Sequence, residues 1–159
     1  MKKAILSIAM IIFLAVMVWA DDSDHTYTAT VQGVSNIVIT ELDTAFGTCV
    51  PGSSCTQITD SLNVQNQGNT APTAGLNGTF LSTNGTIYGL NLTTGADCIA
   101  GDNFDLNGVT FTDDGTAVQV IAAGSLTAGY DANWTADLSV PAGQASGSYS
   151  GTIRLTWTA

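Results

Sequence analysis

From residue 26 onwards, apolar and polar positions alternate in steps of two, and no long segment carries the 3.6-residue period of an amphipathic helix. The last run is the plainest. Tyr149, Ile153, Leu155 and Trp157 share one parity while Thr152, Arg154, Thr156 and Thr158 take the other, which predicts a strand with one face in a core and one in water. Upstream, Trp134, Ala136, Leu138 and Val140 alternate with Thr135, Asp137 and Ser139 until Pro141, which has no N–H for a ladder and ends the strand. Leu62-Asn63-Val64-Gln65 repeats the pattern, as do Tyr88, Leu90 and Leu92 about Asn91. Near the start, Tyr27, Ala29 and Val31 alternate with threonines, and Ile37-Val38-Ile39 reads as a more buried strand.

Turn residues separate these runs. The best hairpin is Phe104-Asp105-Leu106, Asn107-Gly108, Val109-Thr110-Phe111, because both residues of an Asn-Gly pair accept the positive φ of a type I′ turn. In that register Leu106 faces Val109 and Phe104 faces Phe111, an aromatic cross-strand pair. Asn84-Gly85 and Asp114-Gly115 are candidate turns for two more hairpins. The total is eight to ten short strands, which predicts an all-β antiparallel sandwich. No linker divides residues 21–159 and no internal repeat is evident, so they are expected to form a single domain.

The first residues are of another kind. Lys2 and Lys3 precede an uncharged, largely apolar stretch over 4–20, and Asp21, Asp22 and Asp24 follow it. This is the layout of a secretory signal peptide, with cleavage expected after Ala20 in Val18-Trp19-Ala20. An uncleaved anchor is the first rival, although the stretch is shorter than the roughly 20 residues that span a bilayer comfortably. A pilin-type leader cut near Ala4 is the second, weakened by the absence of a preceding Gly. No Cys follows the apolar run, which excludes a lipoprotein anchor.

Cleavage would remove both lysines and leave Arg154 as the sole basic side chain against 13 acids, taking the formal charge from -10 to -12. Nucleic acid and anionic lipid are poor partners for such a surface. Acids are nevertheless sparse and Glu41 is the single glutamate, so most of the surface must be Thr, Ser, Asn and Gly. That composition suits an extracellular protein packing against copies of itself, and equally a bland compositional bias.

Three segments together resemble the immunoglobulin-like surface domains of secreted bacterial and archaeal proteins. Phe46-Gly47-Thr48 with Pro51-Gly52-Ser53-Ser54 is similar to an FGxxxxG turn, and Leu62-Asn63-Val64-Gln65-Asn66-Gln67-Gly68-Asn69 to an LxVxNxGN strand and turn. Leu138-Ser139-Val140-Pro141 with Gly147-Ser148-Tyr149-Ser150-Gly151-Thr152-Ile153 resembles an LxVPxxxxxGxYxGTI ending. Leu155-Thr156-Trp157-Thr158 is similar to the closing strand of WxL-type cell-wall domains. The likeness covers roughly 39–69 and 134–159. It implies an immunoglobulin-like sandwich serving as scaffold in envelopes, sheaths, surface layers or filaments, and it brings no catalytic residues.

Candidate chemistry is limited. Sequons begin at Asn77, Asn84, Asn91 and Asn133, the last two on the outward parity of their strands. Cys49 and Cys55 flank a Val-Pro-Gly-Ser-Ser turn short enough for a disulfide, worth roughly 2 kcal/mol in the chain-entropy model. A bridge from Cys98 would close a longer loop and competes, at roughly 4 kcal/mol. The leftover thiol is either a small buried apolar group or a link between subunits. Oxygen side chains at Asn103, Asp105 and Asn107 before Gly108, with Asp114 beyond, partly match a calcium loop, but Asn starts it and Asp replaces the bidentate Glu. Asp97, Asp102 and Asp105 are looser calcium candidates, and no other cofactor is expected. Three cysteines without a paired C-x-x-C, and one histidine, His25, near a terminus, make a transition-metal site a poor fit. The same scarcity, with no lysine after Lys3 and no Gly-x-Ser-x-Gly elbow, argues against an enzyme. The expectation is therefore a self-associating structural subunit at the cell surface, with the segment 21–33 a candidate strand to lend to a neighbour. A monomeric adhesin or carbohydrate-binding module is the alternative.

Overall fold

The structure, a computed structural model, describes residues 28–158. The chain divides into two units, Met1–Val31 and Gln32–Ala159. Of the first, residues 28–31 are exposed and form no strand, so the strand expected over 26–31 is not made by its described part. The leader, the acidic tip and His25 lie outside the described residues.

Among the described residues the second unit carries thirteen strands: β1 (Ile37–Glu41), β2 (Ser53–Ser54), β3 (Ile58–Asn66), β4 (Leu76–Phe80), β5 (Thr83–Asn84), β6 (Ile87–Leu92), β7 (Cys98–Ala100), β8 (Phe104–Leu106), β9 (Val109–Thr110), β10 (Val118–Ile121), β11 (Asp131–Val140), β12 (Tyr149–Ser150) and β13 (Ile153–Trp157). This exceeds the expected eight to ten, and four of the strands, β2, β5, β9 and β12, have two residues each. Two short 3-10 turns, Gly101–Asn103 and Ala123–Ser125, are the helical elements among the described residues.

The unit is an all-β antiparallel sandwich. One sheet runs β1-β3-β11-β8-β9 with β2 beside β11; the other layer comprises β10-β4-β13 and the group β12-β6-β5 with β7 beside β6. The C-terminal run ties the last two together, since Tyr149–Ser150 pairs with β6 and, after Gly151 and Thr152, Ile153–Trp157 pairs with β4. β11 alternates as its sequence predicts, burying Trp134, Ala136, Leu138 and Val140.

The Asn107-Gly108 hairpin forms in the expected register, with Leu106 opposite Val109 and φ of 54° and 74° at the turn. The rings of Phe104 and Phe111 meet edge to face at 5.5 Å. The second turn is displaced by one residue: Asn84 pairs with Ile87, so the loop is Gly85-Thr86, with Gly at the positive-φ position. The third hairpin is absent. Asp114 instead accepts the Thr116 N–H at 2.9 Å, and the chain crosses to the other layer, where β10 pairs with β4. A local side-chain bond competes here with continuing the ladder.

Phe80, Phe104 and Phe111 lie at the centre of the core, each ring edge to face with the others at 5.4–5.5 Å, and Phe46 caps Phe104 at 6.1 Å. Gly78 on β4 makes room for them: a Cβ there would lie 2.6 Å from the Phe111 ring, and a bare strand glycine is what such close approach requires.

The LxVxNxGN segment gains a mechanism. Asn66, nearly sealed from water, donates to the carbonyls of Leu126 and Thr70 at 2.8 Å and accepts the Gly68 N–H at 2.9 Å. Gly68 passes so close to the backbone of residues 34–36 that a Cβ would stand 2.1 Å from the Val34 carbonyl oxygen. Asn69 then clamps the incoming chain, accepting the Val34 N–H at 2.6 Å and donating to the Gln32 carbonyl at 3.0 Å.

Candidate functional site

An apolar cleft of about 450 Å³ opens between the layers. Ile39 of β1 lines it from one sheet and Ile153 and Leu155 of β13 from the other. Each of these strands is the edge of its sheet: among the described residues, β1 pairs with β3 alone and β13 with β4 alone. Phe46, Leu62 and Leu90 add half-buried apolar surface, and the cleft reaches buried Phe104 and Leu106. Among the described residues two sheet edges without a further strand thus flank a partly covered apolar interior, an arrangement suited to taking up another strand.

A bulge in β3 shapes one wall. Trp134 stands opposite Leu62 and Ala136 opposite Ile58, so β3 carries two extra residues between those pairs. The added length turns Ser61 inward, and its carbonyl accepts the N–H groups of Leu42 and Asp43, the latter at 3.3 Å. Bulges re-aim side chains in this way. The sequence signal, an interruption of alternation at Thr59-Asp60-Ser61, is visible only in hindsight.

Trp157 departs from the reading that placed it in the core. It is 40% exposed, because β13 is the edge strand of its sheet, while its cross-strand neighbour Leu76 on the inner β4 is fully buried; Ile153 and Leu155 on the same parity are half-buried.

The cysteines resolve as one bridge and one thiol. Cys49 and Cys55 are joined, with Cα atoms 5.0 Å apart. The closed loop sets β2 beside the end of β11, where Gly52 and Cys55 donate to the carbonyls of Val140 and Leu138, both at 2.7 Å. Cys98 is free and half-buried. Burial foremost, and then the charge of Asp97, push its thiol pKa up, so it stays protonated at neutral pH and is a slow nucleophile.

Asp97 forms a latch rather than an open ligand. Its carboxylate accepts the Ala145 N–H and the Tyr149 hydroxyl at 2.9 Å and the Cys98 N–H at 3.0 Å, while Gln144 donates to Tyr149 and to the Cys98 carbonyl. The bond from Ala145 foremost, then that from Tyr149, hold the Asp97 carboxyl below the usual carboxylate range; burial foremost raises the Tyr149 hydroxyl. A carboxyl depressed on folding adds stability that is present above its unfolded pKa and lost as pH falls through the folded one. Replacing Asp97 with Asn should therefore flatten part of the stability loss below about pH 4, read as urea midpoints at neutral and acid pH. An acid limb identical to the parent's would mean that the latch does not hold in solution.

The remaining candidates are dispersed. Asp102 accepts from Asn103 at 2.7 Å and Asp105 lies half-buried on β8. No group of three His, Cys, Asp or Glu side chains among the described residues converges on a common point. Asn77 is half-buried within β4, and Asn84 is bonded to the Ala96 carbonyl. Asn91, expected to face outward, is half-buried and its side-chain oxygen is sealed from water without a partner, because β6 is flanked by β7 and β12. Asn133 is exposed, within a ladder of amides and carboxylates on the outer face of the first sheet: Asn133 donates to Asp60 at 2.9 Å, and Asn63 donates to Asn133 and Asp131 at 2.8 Å.

No helix among the described residues is long and apolar enough to cross a membrane. Compared with known protein families, with characterised proteins and with solved structures, the chain matches none.

Proposed function

We propose that this protein is an exported structural subunit of the cell envelope or of an extracellular filament or sheath, and that its copies associate through the edges of their sheets. The observation that carries the reading is the largely apolar cleft between β1 and β13, two edge strands that each pair on one side alone among the described residues. A buried core left open along one side favours a partner that closes it. The leader-like start and the disulfide fit a protein that matures in an oxidising compartment. The immunoglobulin-like surface domains that the sequence resembles are scaffolds of this kind, and the scarcity of nucleophile-and-base pairs gives no support to catalysis. Sugars on Asn133, the exposed sequon, would decorate such a surface.

Electron microscopy of the exported full chain tests the proposal: regular filaments, sheets or other repeating particles are expected, and strictly monodisperse monomers with and without calcium would overturn it. One observation favours a second reading, a monomeric carbohydrate-binding module. Trp157 offers an exposed ring of the kind that stacks on sugars. Specific glycan-array binding by a monomer, lost in Trp157→Ala, would place that reading first.

A further inference from the structure

The cleft has a definite size, chemistry and pair of edges, and the chain itself contains a segment that suits all three. We infer that residues 26–31 of a second copy enter the cleft as a strand beside β13, with Tyr27, Ala29 and Val31 directed inward. This inference rests on the reading of the protein as a self-associating subunit and names the site and the partner segment.

Four observations carry it. Most of the cleft lining is apolar and comes from both layers, with Ile39, Leu62, Ile153 and Leu155 all half-buried, and Glu41, Thr44, Ser61 and Thr152 are its polar members. β13 is five residues long, about 17 Å of strand, and a six-residue segment spans about 20 Å. Residues 26–31 alternate Thr with Tyr27, Ala29 and Val31, a one-sided apolar pattern that requires a buried face; the described residues 28–31 are exposed, Val31 at 78%. Finally, Arg154, the sole basic side chain among the described residues, lies on the exposed face of β13 and offers Asp21, Asp22 and Asp24, which precede the segment, a cation outside the cleft, while Glu41 lines the cleft on the β1 side.

The geometry of entry is favourable as well. Asn69 clamps the chain at Gln32 and Val34, so the segment before Gln32 leaves from a fixed point. Donor segment and acceptor cleft are different surfaces of one chain, so the contact is heterologous: each copy gives a strand and receives one, and the series extends without closing unless its rotation forms a ring. Main-chain bonds to β13 supply the attachment, and alternate side chains in the cleft fix the register.

The test uses the exported full chain, prepared as an equal mixture of isotopically light and heavy copies. A photoreactive benzoylphenylalanine replaces Tyr27 in one preparation and Thr28, of the opposite parity, in another. The expected result is light-to-heavy cross-links from position 27 onto residues 39, 62 and 153–155, several-fold above those from position 28. A second pair guards against disturbance by the probe: Val31→Asp should abolish the particles seen by electron microscopy, and Thr30→Asp should leave them. Particles whose cross-links fall away from the cleft would overturn this placement and leave the subunit reading standing. Cross-links onto the cleft confined to single copies would also overturn it, since the segment would then close its own sandwich. Monomers without any inter-copy cross-link would overturn both.

Discussion

Replacing Phe104 with Ala is expected to lower the stability of the domain by about 4 kcal/mol. The residue is 7% exposed and its ring touches those of Phe46, Phe80 and Phe111, every pair edge to face. Such pairs contribute about 0.5–1.5 kcal/mol each beyond the area they bury, and the remaining rings are held by separate elements that cannot all collapse into the space left. Phe104 also reaches the cleft, so truncation would admit water to the centre of the core. Urea unfolding followed by tryptophan fluorescence measures the effect, as a midpoint shift with little change of slope. Phe104→Leu should retain much of the lost stability. A loss below about 1 kcal/mol in the Ala variant would mean that the aromatic cluster is not the centre of the core.

Asn66→Ala is expected to cost about 3 kcal/mol, although it removes only a small polar side chain. The reason is what the deletion strands. The Leu126 and Thr70 carbonyls lose a donor, and the Gly68 N–H loses its acceptor, at a site 2% exposed. A buried polar group left unpaired costs about 1–3 kcal/mol. Asn66→Asp separates this account from simple packing, because a carboxylate of nearly the same shape keeps the acceptor and loses both donors. A carboxyl buried there would have its pKa raised, so its destabilisation should be greatest at neutral pH and shrink in acid. Equal stability of Asn66→Asp and the parent at neutral pH would contradict the bonding described.

Much of the framework is legible in the sequence. Local chemistry dictates the Asn107-Gly108 hairpin and the alternation of β11 and makes a bridge between Cys49 and Cys55 feasible, because each depends on residues close in sequence, whereas the competing bridge from Cys98 is decided only by the fold. Features set by distant partners are not. Trp157 has the parity of Ile153 and Leu155, but its exposure depends on β13 standing at the edge of its sheet, which no local pattern encodes. Asp114-Gly115 has the composition of a hairpin turn, yet β10 takes β4 as partner. The cleft was least visible of all. It exists because β1 and β13 are the outer strands of their sheets, a property of strand order rather than of either strand's residues. What sequence could supply was its complement, an alternating terminal segment that needs a face to bury.

The clamp at Asn69 has a mechanical consequence. If subunits are joined through the segment before Gln32, any tension along the series enters each domain at that point. The first bonds to bear it are those that Asn69 makes to Val34 and Gln32, followed by the five register pairs between β1 and β3. The load would then reach the ladder of β3 against β11 before it could disturb the aromatic core. The short Gln-Gly-Asn turn after β3 is thereby the point at which a link between subunits would pass its load to the sheet.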